Sequence, residues 1–348
     1  MRLVARPNRN SPLRDAMMPV AAVAASLLIC AVLILLAGAN PLTAFGIMAK
    51  AAFWGKFALT ETLARAAPLI LSGLAALVAL RTRFWNIGGE GQIIVGAMAA
   101  AWVGALTSLP TPLLIPFMLI GAALAGAALA AVPASLKTRL GVDEVVSTLM
   151  LNFIVMYLMQ ALLSGPWKDP VTGWTNSPSI LRAAEFPVFW KGTRLHLGVL
   201  VAFLAVGVVG VIMKRTTLGL SMKIVGENPR EARHAGLDVT RVTLAAALLS
   251  GALAGLAGAG EIGGIQFQVI ASISSGYGGI VVAMLARLSA AGIIPAALFI
   301  AAITTGADEM SRQTGVPFFI ADAMQGICLI AVLVAMTLSR YQIRFRTS

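Results

Sequence analysis

Charge is scarce in this 348-residue chain: Asp, Glu, Lys and Arg together make up 11% of it, against roughly a quarter in a soluble domain. That scarcity excludes an ordinary soluble fold. Cysteine is nearly absent, and both copies, Cys30 and Cys328, lie inside apolar runs, which excludes a disulfide framework and a thiolate metal centre. The two histidines, His196 and His234, stand in different regions with no H-E-x-x-H or clustered Cys/His around them, so no metal site is expected. Neither G-x-x-x-x-G-K-[ST] nor G-x-S-x-G occurs. The chain is therefore expected to hydrolyse no ATP, to lack an activated serine and to act as something other than an enzyme, with no cofactor. Period-two alternation is also missing, which excludes a transmembrane barrel.

What the chain has is length without charge. Its composition is 59% hydrophobic, in Ala/Leu/Val/Ile/Gly runs that fit crossings of about 20 residues each. Candidates lie near 17–38, 58–80, 92–108, 112–134, 145–163, 195–213, 242–260 and 318–338. The stretch Gly278 to Gly306 reads either as one tilted helix or as two short ones turning at Arg287 to Gly292. Charge parity favours two. With a cytoplasmic N-terminus carrying Arg2, Arg6, Arg9 and Arg14, two helices keep the basic tail of Arg340, Arg344 and Arg346 inside, with most of the 26 Lys and Arg. The net charge of +12 is scattered between apolar runs, which marks topology rather than nucleic-acid binding. The apolar stretch Met17 to Ala37 is too long for a signal-peptide core and is expected to remain as the first helix.

The expected fold is an all-α polytopic bundle of about ten transmembrane helices. Residues 1–348 form a single transmembrane domain, with 1–15 as a cytoplasmic N-terminus, 164–194 as an extracytoplasmic loop and 214–241 as a cytoplasmic loop. The outer loop carries Trp167, Trp174, Trp190 and four prolines, Pro166, Pro170, Pro178 and Pro187, and serves as either a rigid connector or a docking surface. The triplets Leu71-Ser72-Gly73 and Ile87-Gly88-Gly89 return as Leu249-Ser250-Gly251 and Ile262-Gly263-Gly264, on helices of opposite direction, a weak inverted repeat of the kind transporters use.

Polar groups at membrane depth usually mark a cavity or a helix contact. Glu61 and Arg65 are four apart on one helix face, and pairing them makes a clamp. The run Asn86-Ile87-Gly88-Gly89-Glu90-Gly91-Gln92 joins three glycines to Asn, Glu and Gln just before a span. Irregular backbone is tolerated at that depth only where protein or water surrounds it. Asn86, Gly88, Gly89, Glu90 and Gln92 are therefore expected to line a solute pathway, with Glu261 to Gln268 as the outer counterpart, and if the chain carries a solute Asn152 and Gln266 are expected to add to that lining. Asn152, Gln160, Asp322 and Gln325 read by default as helix–helix hydrogen bonders. Small residues over Gly121 to Ala131 and Gly251 to Gly260 permit close helix crossings.

Four stretches in order resemble the permease subunits of bacterial ATP-binding-cassette importers in the nucleoside and simple-sugar branch, near the ribose and branched-chain amino-acid permeases. They are Phe84 to Gln92, Gly141 to Asn152, Gly165 to Pro170 and Val225 to Gly236. The resemblance implies a type II importer fold in the bacterial cytoplasmic (inner) membrane, with both termini cytoplasmic. It implies as partners two ATPase subunits or one fused ATPase, a second and paralogous permease, an extracytoplasmic substrate-binding protein and the lipid bilayer. The last stretch resembles a cytoplasmic coupling helix, which assigns Gly226, Glu227, Asn228, Arg230, Glu231, Arg233 and Gly236 to contact with the ATPase. Pro229 suits a first helical position and Gly236 a C-terminal cap. The function so implied is passage of a nucleoside or simple sugar driven by ATP. The alternative is a secondary transporter driven by an ion gradient, with Glu61, Glu90 or Glu261 as its protonatable group.

Overall fold

The computed structural model describes the chain apart from residues 1, 6–11, 107–109, 272–275, 318, 321, 325, 328–329, 332–333, 335–340 and 345–348. It forms two compact units, Met1–Trp54 with Ala302–Ser348, and Gly55–Ala301. In the first unit a short antiparallel ribbon pairs β1 (Arg2–Ala5) with β2 (Tyr341–Arg344), joining the two ends of the chain. After α1 (Pro12–Leu36), Gly38 takes a left-handed φ of 84° and Asn40 caps α2 (Pro41–Phe53), whose first residue is proline. The bend between Val23–Leu36 and α2 is 116°. The sequence reading places no element at 41–53. Its 13 residues are too few for a crossing, so hydropathy scanning passes over it.

The second unit holds α3 (Lys56–Arg81), α4 (Gly89–Leu106), α5 (Thr111–Ser135) with a π-helical turn Leu136–Leu140, α6 (Glu144–Ser164), α7 (Leu197–Arg215), α8 (Thr217–Glu227), α9 (Pro229–His234), α10 (Val239–Glu261) with a second π-helical turn Ile262–Gln266, and α11 (Gly276–Leu285). Helix α12 (Ala290–Thr314) begins here. Six helices are long and apolar enough to cross a membrane, or up to seven if the bent α1–α2 pair is one span. This is fewer than the expected ten among the described residues. The run near 318–338 is described only in part, its described residues from Ile320 to Val334 being helical while Gln325 and Cys328 lie outside the described residues, and α11 is too short to qualify alone. The break at Arg287 to Gly292 is present: α11 ends at Leu285, α12 starts at Ala290, and Arg287 and Leu288 both hold left-handed φ values, 53° and 56°.

The centre of this unit is α10 packed on α3, α4 and α5, and glycine sets how closely. A Cβ on Gly255 would overlap the Ala122 carbonyl of α5, and one on Gly258 the Ile93 carbonyl of α4. Backbone meets backbone there, which lets dispersion act where lipid gives helices no hydrophobic drive to associate. Helices at the rim carry large apolar residues outward instead, as with Leu113, Phe117, Ile120 and Leu124 on α5 and Leu200, Leu204 and Val208 on α7.

The two Ile-Gly-Gly triplets differ in backbone: Ile87-Gly88 is non-helical, whereas Ile262-Gly263-Gly264 is a π-helical turn. The glycines of the second have a local cause. Cβ atoms on Gly263 and Gly264 would run into the rings of Phe186, in the loop 164–194, and His196, just before α7.

Candidate translocation pathway and coupling surface

Beyond Arg81 the chain reverses. Arg83 takes φ 52°, Phe84 packs with Ala79 and Ala247, and Asn86 reaches Ser250, whose hydroxyl donates to the Ala75 carbonyl (2.8 Å). Two residues of non-helical chain therefore climb about one turn back along α3 and α10. The segment 84–88 re-enters the bundle, and α4 starts at Gly89 already inside it.

Backbone exposed by such a break must find partners within the protein. Asn86 and Ile87 donate their N–H groups to the carbonyls two residues earlier, Phe84 and Trp85. The Asn86 side chain accepts from Gly88 N (3.1 Å), exchanges two 3.0 Å bonds with the Gln92 amide and donates to Ser250 Oγ (2.9 Å). On the other side the Asn152 amide stands in for a missing peptide: its Oδ1 accepts from Gly91 N and its Nδ2 donates to Ile87 O, both at 2.9 Å. Glu144, at the start of α6, pairs with Lys137, which also donates to Arg83 O (3.3 Å). The stretches 84–92 and 141–152, distant in sequence, interlock.

α11 meets this break end-on. Gly279 lies against Ser72, Gly73 against Val282, and Arg81 Nη2 donates to Leu288 O just past α11 (3.0 Å), so α3 and α11 run parallel at an offset of 207 to 209 residues. Gly276 is then level with Leu69, the middle of α3. Its N–H donates to Glu90 Oε2 (2.8 Å), and a Cβ there would overlap the Glu90 backbone. Two helix N-termini, those of α4 and α11, face each other with one carboxylate between them, a favourable place for negative charge.

Of the expected lining residues, Asn86, Gly88, Gly89, Glu90, Gln92 and Asn152 come together at this break. Gln266 does not. It is half-buried in the π-helical turn beyond α10, about 24 Å along the helix from Ser250 at 1.5 Å per residue. Tyr277, absent from the sequence reading, belongs to the cluster: Asn152 Nδ2 donates to its hydroxyl (3.4 Å).

The loop 164–194 is tied down along its length. Ser177 N donates to Val269 O (3.0 Å), Ile180 N to Phe267 O (2.8 Å), Phe186 N to Gly263 O (2.8 Å) and Leu181 N to Gly104 O (3.0 Å). Asn176 Nδ2 donates to Gln268 (3.0 Å). Glu61 makes the expected clamp with Arg65 (3.1 Å) and adds Arg194 from the loop (3.3 Å). Lys56 sits over the Trp190 ring, 4.0 Å from its centre. His196, just before α7, caps that helix by accepting from Gly198 N at Nδ1 (3.1 Å). Burial pushes its pKa down to about 4, partly offset by the nearby Glu61 carboxylate.

On the opposite side α9 is closed by its own side chains. Asn228 Oδ1 accepts from Arg230 N (3.1 Å) and Glu231 N (3.4 Å), its Nδ2 donates to Glu231 Oε1 (2.6 Å), and Pro229 occupies the first turn. At the other end Gly236, φ 79°, donates to Arg233 O, and Leu237 N donates to Ala232 O. This is a Schellman cap. Glu227, Arg230, Glu231, Arg233 and Gly236 are exposed, whereas Ala232 and Gly226 are buried. A Cβ on Gly226 would collide with the Arg81 carbonyl, so α8 rests directly on the end of α3.

A helical membrane bundle with a re-entrant segment between two helices and an exposed, self-capped helix at one end is the build of a transport permease. Residues 58–335 match the family of the branched-chain amino acid transport system, permease component, and the chain belongs to it. It is 35% identical over 337 residues to the glucose ABC transporter permease protein TsgB13 of Haloferax volcanii, covering 93% of this chain and 89% of that one. The guanosine ABC transporter permease protein NupP of Bacillus subtilis is 34% identical over 334 residues, 94% of each chain. The nucleoside ABC transporter permease protein NupB of Lactococcus lactis subsp. cremoris is 30% identical over 320 residues, 88% of each. Membership does not favour the gradient-driven alternative, and two of its three carboxylates have bonded roles here, Glu61 with two arginines and Glu90 with Gly276.

Proposed function

We propose that this chain is the membrane-spanning subunit of an ATP-driven importer and forms the path of a nucleoside or a simple sugar. The observation that carries this is similarity over nearly the whole chain to permeases named for guanosine, nucleosides and glucose. The whole chain, 1–348, acts as one permease domain with about ten crossings and an inverted relation between its two Ile-Gly-Gly segments. Pairing of β1 with β2 supports an even number of crossings, because it brings both ends to one side, and the basic termini make that side cytoplasmic.

The partners are two ATPase subunits or one fused ATPase, a second and paralogous permease, and an extracytoplasmic binding protein. In a bacterium the location is the cytoplasmic membrane. Glu227, Asn228, Arg230, Glu231, Arg233 and Gly236 meet the ATPase, and Gly226 passes its movement to Arg81. From Arg81 two routes lead to the middle of the bundle: the segment 82–88 into α4, and the Leu288 contact into α11. Movement of α8 then shifts both N-termini at the break together, exchanging outward and inward access. Asn86, Gly88, Gly89, Glu90, Gln92 and Asn152 shape the constriction, and Gln266 lies toward the outer mouth.

The test is affinity purification of the tagged chain from its native membrane in mild detergent, followed by mass spectrometry. Recovery of a phosphate-loop ATPase and a second permease is expected. Recovery of the chain alone would overturn the proposal.

A further inference from the structure

The polar side chains of the break are largely spent on one another. Asn86, Gln92 and Ser250 bond among themselves, and Asn152 is committed to Gly91, Ile87 and Tyr277. Beside Trp85 of the break, 47% exposed, this region presents outward the Tyr277 ring. It is 45% exposed, on a helix where Gly276, Gly278, Gly279, Val281, Val282, Ala283 and Met284 are all buried.

Depth gives that exposure its meaning. By the register of α11 on α3, Tyr277 stands halfway along a helix of 26 residues. Tyrosine favours the membrane–water interface, not the hydrocarbon centre. The rim faces of α5 and α7 carry Leu, Phe, Ile and Val. A phenol that accepts a bond from Asn152 and keeps its own hydrogen to donate is out of place against acyl chains but suited to a wet path.

Resting on the importer reading above, we infer that Tyr277, with Asn152 behind it, is the mid-membrane contact for the transported solute, and that it selects a neutral, ring-bearing solute. An aromatic face stacks on a nucleobase whatever its sequence of ring atoms. The ionisable side chain at this junction is the acidic Glu90, and among the described residues no Lys or Arg is bonded to the cluster of Asn86, Gln92, Asn152 and Tyr277. A nucleoside fits this site and a nucleotide, with its phosphate charge, does not.

The test uses the full complex of this chain, its ATPase, second permease and binding protein, in proteoliposomes, with Cys30→Ala and Cys328→Ala. Tyr277→Cys should react with a charged thiosulfonate, and guanosine should slow that reaction whereas guanosine 5′-monophosphate should not. In parallel, Tyr277→Leu should raise the KM for guanosine about tenfold, the scale of one lost base–aromatic stack. Tyr277→Phe, which keeps the ring, should hold the KM well below that of the Leu variant. A cysteine at 277 that never reacts, or a Leu variant that takes up guanosine like the parent, overturns the Tyr277 assignment alone. A parent complex that hydrolyses ATP yet takes up no guanosine overturns the nucleoside reading and this inference with it.

Discussion

The side-chain amides of Asn86 and Gln92 face each other and exchange two hydrogen bonds, each 3.0 Å long. Gln92 is 1% exposed, so neither amide has water to turn to. Gln92→Leu leaves one Asn86 side-chain N–H without a partner and its carbonyl with Gly88 N alone, at a cost of about 1–2 kcal/mol. Thermal unfolding in detergent should show a lowered midpoint. The double variant Asn86→Leu, Gln92→Leu should cost less than the sum of the single changes, because the two form one unit.

Gly226 and Gly236 fail for different reasons when enlarged. Gly226→Val forces a side chain into the Arg81 carbonyl and separates α8 from α3. Solute-stimulated ATP hydrolysis should be lost while basal hydrolysis persists. Gly236→Val meets no atom within 4 Å but must hold a left-handed φ, at about 1–2 kcal/mol, and reshapes the end of α9. It should weaken recovery of the ATPase in pull-down. Unchanged coupling and pull-down in both variants would remove α8 and α9 from the coupling surface.

At the α4–α5–α10 crossing, Gly255→Leu should sharply reduce the yield of folded protein, since a Cβ alone already overlaps the Ala122 carbonyl. Gly207→Ala, with nothing within 4 Å, should be neutral or stabilising by up to about 1 kcal/mol from helix propensity. Size-exclusion profiles and melting midpoints of the two variants check the contrast.

His196 makes folding sensitive to acid. Its pKa of about 4 in the fold lies below the usual 6.5, so above pH 6.5 both folded and unfolded chains hold it neutral. As pH falls, the unfolded chain takes up the proton first, and stability declines between pH 6.5 and 4 by at most about 3 kcal/mol. Melting midpoints over that range should fall, and His196→Gln should flatten the curve.

Features set by neighbours in sequence were legible from it. Pro229 and Gly236 bracket α9 as their residue types require, the Arg287–Gly292 turn divides α11 from α12, and Glu61 finds Arg65 one turn away. The break was also legible from three glycines beside Asn, Glu and Gln, although only its first part, Asn86 to Gly88, is irregular and Gly89 to Gln92 already form the first turn of α4. Partnerships across the chain were not. Nothing local in Asn152 tells that it replaces a peptide unit for Ile87 and Gly91, or that Arg194 reaches Glu61 from the loop 164–194. Tyr277 carried no signal of depth until α11 was set beside α3. Gln266 was grouped with Asn86 by the echo of Ile-Gly-Gly, and the length of α10 separates them.

The caps of α9 draw on no residue outside 228–237: Asn228 and Glu231 close one end, and Gly236 and Leu237 the other. Its shape is thus written in ten neighbouring positions, whatever bundle carries it. Such a segment behaves as a cassette. Grafted into another permease it would bring its own geometry, and the choice of motor could be exchanged between transporters without rebuilding the path the solute takes.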